Sequence, residues 1–152
     1  MESSLRAFVE RVIASGLLQP DLIELADRGA TTAELALAPT LPAELQELLA
    51  WRNGLNLDVV RLHGIGAVTR RIELAEVDGE IAAIVFASDP AGFLYLLRPD
   101  GTVALLDHDG GKIEIVAANV DDFLRGYIFG SRAGEFGGDA WSTEVAAAVG
   151  ES

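Results

Sequence analysis

Four short apolar segments separated by three turn sequences constrain the fold of this chain more than any other feature. The segments read IAAIVFA (81–87), FLYLL (93–97), TVALLD (102–107) and KIEIVA (112–117). Each has the length of a strand, and the links between them contain the Pro, Asp and Gly residues that reverse a chain tightly. This pattern predicts an antiparallel meander of four strands. Because the central segments are apolar on both faces, we expect helices or a second layer to cover them.

Helical periodicity dominates the sequence on both sides of the meander. Thr31 and Glu34 have the spacing of a capping box, and Asn119 precedes a helix with Asp121 and Asp122 in its first turn. The glycine-rich segment 131–144 is predicted to be a loop, because small residues predominate there. The predicted helices are residues 4–15, 20–29, 31–37 and 42–52, the helix after Asn119 with the apolar face Phe123, Leu124, Tyr127 and Ile128, and a short terminal helix at 141–149.

Together these elements predict an α+β fold. We expect one domain over residues 1–152, with a largely antiparallel (mixed) sheet of about four to six strands, flanked by N-terminal helices and a C-terminal helix. Two further extended segments, 59–62 and 66–74, are predicted to precede the meander. Residues 130–152 are expected to form a loop and the short C-terminal helix. A chain of 152 residues, half of them apolar, can bury an adequate core.

The net charge limits the kinds of partner that this chain can have. The formal charge is −13, and residues 72–122 contain eleven acidic and two basic side chains. Such a surface repels phosphate backbones, so we expect no nucleic-acid binding. It attracts basic proteins, although acidic surfaces also serve solubility alone. No long uncharged apolar run indicates a membrane span, and Glu10 and Arg11 interrupt the first apolar pattern as no signal-peptide core would. We therefore expect cytoplasmic residence.

The sequence contains few residues that could carry catalysis. It has no cysteine, and its two histidines are His63 and His108. Asp107, His108 and Asp109 form the one cluster resembling a metal or catalytic site, but the additional acidic ligands of a calcium loop do not follow. A turn needs only the Asp and Gly residues found there. We therefore predict a non-enzymatic protein with no catalytic residues, no metal and no cofactor.

The two tryptophans are candidates for core packing or for binding. Trp51 lies three residues after Leu48 on a helix that must cover the sheet, so core packing is favoured over exposure. Trp141 follows the glycine-rich segment near the terminus. A tryptophan at this position could either dock on its own domain or contact a partner.

The order of these features is similar to that of the SUKH superfamily, which includes fungal cell-wall-synthesis regulators and bacterial toxin-immunity proteins. The shared motifs are a Leu-Pro helix ending near Asn-Gly, a hairpin turn with Gly, an Asp-Gly turn and a closing Asp-Asp-Phe-Leu helix. They lie here at Leu41-Pro42, Asn53-Gly54, residues 89–92, Asp100-Gly101 and residues 121–124, within about residues 32–128. The Leu-Gly that usually precedes Leu-Pro is missing. The resemblance implies an α+β domain that binds proteins and has no catalytic activity.

Two hypotheses of function follow from this resemblance and from the charge. The first is an immunity protein that blocks a cognate basic toxin, such as a nuclease or deaminase. The second is a housekeeping regulatory scaffold or small-ligand-binding protein of the same superfamily. For the first, the predicted contacts are acidic residues of the turns with one apolar anchor: Asp78, Glu80, Asp89, Asp107, Asp109 and Trp51. Charge reversal at Asp107 and Asp109 should then slow association.

Overall fold

The apolar segments form one antiparallel sheet in the computed structural model, which describes residues 4–37, 41–65, 73–77, 80–107 and 112–150. Every strand pairing in these ranges is antiparallel. The order across the sheet is β1-β2-β3-β5-β6-β7-β8, and β4 pairs with β5 on the same edge as β3. The strands are β1 (Ile23–Leu25), β2 (Leu55–Leu57), β3 (Arg61–Leu62), β4 (Glu73–Val77), β5 (Glu80–Ser88), β6 (Leu94–Leu97), β7 (Val103–Asp107) and β8 (Lys112–Ala117).

The α+β class and the meander are confirmed, and the number of strands is higher than expected. Strands β5 to β8 are neighbours in chain order, as the four apolar segments predict. Gly92 and Gly101 adopt φ angles of 95° and 90° in the turns, a conformation that glycine adopts without strain. The strands that were not predicted are β1 and β2, which contain three residues each, whereas β3 lies within the predicted extended segment 59–62. Strands this short alternate over too few residues to be distinguished from a helix in the sequence.

Helices pack on one face of this sheet. The capping box forms as predicted, because Thr31 N donates to Glu34 Oε1 and Glu34 N donates to Thr31 Oγ1. Arg28 also binds Glu34, and its guanidinium holds the pKa of that carboxyl at about 2.

The helices are α1 (Leu5–Ala14), α2 (Thr32–Leu37), α3 (Ala43–Trp51), α4 (Val120–Asp122) continuing as a π-helical segment (Phe123–Ile128), α5 (Ala133–Gly137) and α6 (Asp139–Val149). None of the described helices is long and apolar enough to cross a membrane.

The prediction of a helix over residues 20–29 is wrong. A single 3₁₀ turn (Pro20–Leu22) leads directly into β1. Ile23 and Leu25 pair with Leu57 and Leu55 of β2, so sheet hydrogen bonds replace the helical ones. Here the tertiary pairing outweighs a helical spacing of apolar residues that is too short to decide the matter alone.

The prediction of a loop over residues 131–144 is also wrong, because α5 and the start of α6 lie there. Gly138, with φ of 91°, separates the two helices. A Cβ on Gly137 would come within 2.7 Å of the Trp141 ring, so glycine is what lets the indole approach. Trp141 Nε1 donates to the carbonyl of Ile128 at 2.9 Å, and its ring contacts Phe129 and Phe136. Trp141 therefore docks on its own domain.

The main core lies between the sheet and the helices, with aromatic rings at its centre. The Phe123 ring lies 4.9 Å from that of Tyr95 and 5.5 Å from that of Phe86, measured between centroids. The predicted face of Phe123, Leu124, Tyr127 and Ile128 is buried, as expected. Its π-helical geometry, with Phe129 N donating to Leu124 O, is not recognisable from the sequence.

Candidate partner-binding face

The face of the sheet opposite the helices carries a second, smaller apolar cluster. We call this side the outer face. Leu96 and Ala104 are fully buried there beneath their flanking neighbours Val85, Leu106 and Ile113, which remain half-buried. The register places Leu94 beside Leu106 and Ile115 beside Ala104 on the same side. Within the described residues no helix belongs to this cluster, so its rim is accessible.

Ile115 is the most accessible residue of this apolar surface. Its side chain is 53% exposed, and it lies on β8, an edge strand of the sheet. Edge strands and exposed apolar side chains are both features through which proteins bind other chains. The apolar half of the outer face comprises Val85, Leu94, Leu96, Ala104, Leu106, Ile113 and Ile115.

The other half of the outer face is polar. One cross-strand row runs from Glu24 through Asn56 and Arg61 to Ser88, and continues into the apolar half at Leu94. Asn56 and Arg61 line two adjacent grooves, and the larger of about 380 Å³ also includes the turn at Asp89. The outer face therefore presents apolar side chains on one side and mixed charges on the other.

A buried hydrogen bond anchors β3 to β5 at the edge of this polar half. His63 Nε2 and Ser88 Oγ are 2.9 Å apart, and the two side chains are 5% and 7% exposed. The sequence does not reveal this pair, because the residues are 25 positions apart. Ser88 also lines the larger groove, so the pair holds the groove wall in place.

Asp89, predicted to contact a partner, organises its own turn. One carboxylate oxygen accepts hydrogen bonds from the backbone N–H groups of Ala91 and Phe93, at 3.0 and 3.1 Å. The other accepts from the hydroxyl of Tyr95 at 2.9 Å. Burial raises the pKa of Tyr95 well above its usual range, and the negative charge of Asp89 raises it further. The side chain is half-buried, so part of it remains accessible to a partner.

The other predicted acidic residues lie at two opposite ends of the sheet. Asp107 ends β7 and pairs with Lys112, at the same end as the Asp89 turn. Glu80 begins β5 at the opposite end, and a strand of this length spans roughly 26 Å. Asp78 and Asp109 lie outside the described residues. The described members of the predicted set therefore do not form one small patch.

Trp51 lies in the helical layer. Its half-buried ring packs against the main core, as the helix spacing predicts. The guanidinium carbons of Arg6 and Arg52 lie 5.0 and 5.9 Å from its ring centroid. The indole is thus already partnered by two cations, and its role as an anchor for a partner stays a prediction.

Asn53, from the Asn-Gly motif, has a structural role. Asn53 Nδ2 donates to the Ile65 carbonyl, and its Oδ1 accepts from the Ile65 N–H, which ties the end of α3 to the chain after β3. A Cβ on Gly64 would lie 2.3 Å from the carbonyl oxygen of Asn53. Asn53, together with the close approach of Gly64, therefore fixes how the end of α3 meets the chain after β3. No cluster of three possible metal ligands occurs among the described side chains.

The fold, an antiparallel sheet with helices on one face, agrees with a comparison against protein families. The model of the SMI1 / KNR4 family (SUKH-1) matches residues 31–126, well over half of the chain. The chain belongs to this family, and the resemblance seen in the sequence is confirmed. The matched range includes the whole apolar half of the outer face. Searches among curated proteins and among solved structures gave no significant match.

Proposed function

We propose that this chain is a non-enzymatic immunity protein that binds a cognate toxin and covers the toxin's active site. The observation that supports this most is the apolar half of the outer face, which no described helix covers. Family membership supports a protein-binding role of this kind. The proposal includes a single domain, cytoplasmic residence, and no nucleic-acid, membrane or cofactor partner.

The charge of the chain favours a basic toxin. The net charge is −13, and exposed Glu114 lies next to Ile115 on the edge strand. Asp107 lies at the end of the neighbouring strand. Glu114 and Asp107 alternate with the outward residues Ile115 and Leu106, so their side chains lie on the helical side of the sheet, and the negative charge that attracts a basic partner is that of the chain as a whole. In partner interfaces charge guides association and apolar contacts hold the complex. Nucleases and deaminases that act on nucleic acid need basic surfaces, so they fit this description.

The polar half of the outer face favours a second candidate function. Its groove of about 380 Å³, with Arg61, Asp58 and Ser88 in its walls, has the size of a small-ligand site. A regulatory scaffold or small-ligand-binding member of the family would use this groove. Such a protein would capture several housekeeping partners or a metabolite, and no single tight partner.

Substitution of Ile115 tests the proposed face. The tagged chain is used to capture proteins from a lysate of its source organism, with Ile115→Asp, Ile115→Thr and Ala147→Asp in parallel. Because central apolar contacts dominate binding energy, Ile115→Asp should reduce recovery of the main partner at least tenfold. Thr keeps the β-branched shape, so Ile115→Thr separates lost binding from strand destabilisation. Ala147 is exposed on α6, so Ala147→Asp adds the same charge away from the face and should capture normally.

The binding face and the immunity role can each be contradicted by a separate outcome. Equal recovery of the partner by the wild type and by both Ile115 variants would exclude the apolar half as the binding face. The immunity role is tested by expressing the captured partner alone and together with the chain. Growth arrest that the chain relieves supports the role, whereas a partner that is harmless on its own contradicts it.

Charge reversal tests the electrostatic part. Asp107→Lys combined with Asp109→Lys should lower the association rate constant for the captured partner by roughly tenfold at low salt and flatten its salt dependence. The control is Glu47→Lys combined with Glu144→Lys, which changes the net charge by the same amount at exposed positions of the helical layer. It should lower the association rate constant less. Stopped-flow kinetics over a range of salt concentrations measures both. Equal slowing by the two double variants would show that only overall charge matters.

A further inference from the structure

A groove on the helical side of the molecule is separate from the outer face. It lies between α1, the end of the π-helical segment and α6, and has a volume of about 560 Å³. Its apolar walls include Phe8, Phe129, Val145 and Val149, and Arg11 and Arg125 line it as well. Ligand pockets commonly have this size, with mostly apolar walls and a few polar groups.

The two arginines place positive charge together in an acidic chain. The guanidinium carbons of Arg11 and Arg125 lie 5.4 and 5.2 Å from the centroid of the Phe8 ring. They are therefore no more than about 11 Å apart. Arg125 also binds Asp121 through Nε at 3.0 Å. Arg11 is exposed and forms no ion pair with any described residue, so its fork of donors is available to a ligand.

We propose that this groove binds a small organic anion with an apolar body, such as a fatty or aromatic monocarboxylate. The apolar body would lie against Phe129, Val145 and Val149, and the anionic group would bind Arg11 beside Arg125. Ser131 and Ser142 also line the groove and add hydroxyl donors. Guanidinium groups bind carboxylates and similar anions with strong, directional hydrogen bonds. Charge complementarity therefore selects an anion over a neutral apolar molecule.

The site is distinct from the face proposed for protein binding. Of the groove residues, Arg125 lies within the range matched by the family model, whereas Phe8, Arg11 and the residues from 129 onward lie outside it. The groove is thus built mainly by α1 and α6, the helices that flank the matched region. Ligand binding here neither requires nor excludes a partner on the sheet.

The test compares an anionic and a neutral probe of the same shape. 8-Anilinonaphthalene-1-sulfonate carries a sulfonate on an aromatic body, and N-phenyl-1-naphthylamine lacks the charge. Binding of each to the full chain is titrated by fluorescence. We expect the sulfonate to bind more tightly, and Arg11→Gln to weaken it roughly tenfold while leaving the neutral probe unchanged. Ala146→Trp, which fills the groove from an exposed position on α6, should weaken both probes.

Arg6→Gln is the matched control. Arg6 lies on the same helix and carries the same charge, but it binds Glu10 and covers Trp51 instead of lining the groove. It should leave both affinities unchanged. Equal weakening by Arg11→Gln and Arg6→Gln would overturn the proposal, as would equal affinity for the two probes. Loss of probe binding in Ile115→Thr would place the probe on the sheet face and would also overturn it.

Discussion

Replacing Phe123 by Ala is expected to lower the free energy of unfolding by about 3–5 kcal/mol. The side chain is fully buried, and its ring contacts those of Phe86, Tyr95 and Tyr127. Truncation leaves a cavity at the point where the π-helical segment meets the sheet. Urea denaturation of the wild type and the variant measures the difference. Because domains of this kind are stable by only about 5–15 kcal/mol, this loss removes a large part of the total stability.

Two further variants make the Phe123 result interpretable. Phe123→Leu keeps most of the apolar volume and should cost less than half as much as Phe123→Ala. Asp121→Ala, two residues earlier in the same motif, removes a partly buried ion pair with Arg125 and should cost about 1 kcal/mol, well below the cost of Phe123→Ala. If Phe123→Ala were no more damaging than Asp121→Ala, Phe123 would not be the centre of the core.

Replacing Asp89 by Ala is expected to cost about 2–4 kcal/mol. The carboxylate accepts two backbone hydrogen bonds within the turn and one from the Tyr95 hydroxyl. Hydrogen bonds to charged groups contribute about 1.5–3 kcal/mol, and loss of this acceptor leaves a buried hydroxyl unsatisfied. Tyr95 is 1% exposed, so water cannot readily replace the lost partner. Thermal unfolding should show a midpoint lower by roughly 5–15 °C.

Asp100→Ala is the matched control for Asp89. Asp100 accepts from the N–H and the hydroxyl of Thr102 in the next turn, but it is fully exposed and contacts no buried side chain. Its loss should therefore destabilise the fold much less than the loss of Asp89. Equal destabilisation by the two substitutions would show that the buried Tyr95 partner contributes nothing. The destabilisation by Asp89→Asn should lie between those caused by Asp89→Ala and Asp100→Ala, because the amide oxygen of Asn can still accept hydrogen bonds from the backbone of the turn.

The part of the fold that the sequence predicts best is the part in which local signals agree. In β5 to β8, apolar strand-length segments alternate with Pro, Asp and Gly turns, and the observed pairing follows chain order. The capping residues Thr31 and Asn119 also form the predicted hydrogen bonds. Each of these features depends on contacts within a few residues, which is why the sequence shows them directly.

The errors arise where distant contacts decide the structure. Residues 23–25 alternate apolar and polar side chains over too short a segment to indicate a strand, and become β1 because β2 offers a partner. The glycine-rich segment around Gly137 becomes helical because the small residue lets Trp141 pack closely and bond to Ile128. β2 lies about 30 residues after β1 and Ile128 lies 13 residues before Trp141, so a local window does not contain these contacts.

The candidate site was only partly visible in the sequence. Because the central strands are apolar on both faces, the sequence predicts a second apolar surface on the sheet, but it does not show which residues form that surface. That assignment needs the register, which aligns Leu94 with Leu106 and Ala104 with Ile115. The sequence shows where the acidic turns lie along the chain, but not that the length of β5 separates Glu80 from Asp89.

The most direct test of the central claim is a neutralisation assay with the captured and purified partner. The partner's toxic activity is measured while wild type, Ile115→Thr or Ala147→Asp is titrated into it. We predict that wild type and Ala147→Asp inhibit at one equivalent, and that Ile115→Thr needs at least a tenfold higher concentration. Inhibition by Ile115→Thr that equals the wild type would contradict the outer face as the binding site. A partner that binds at one equivalent and keeps its activity would contradict neutralisation itself.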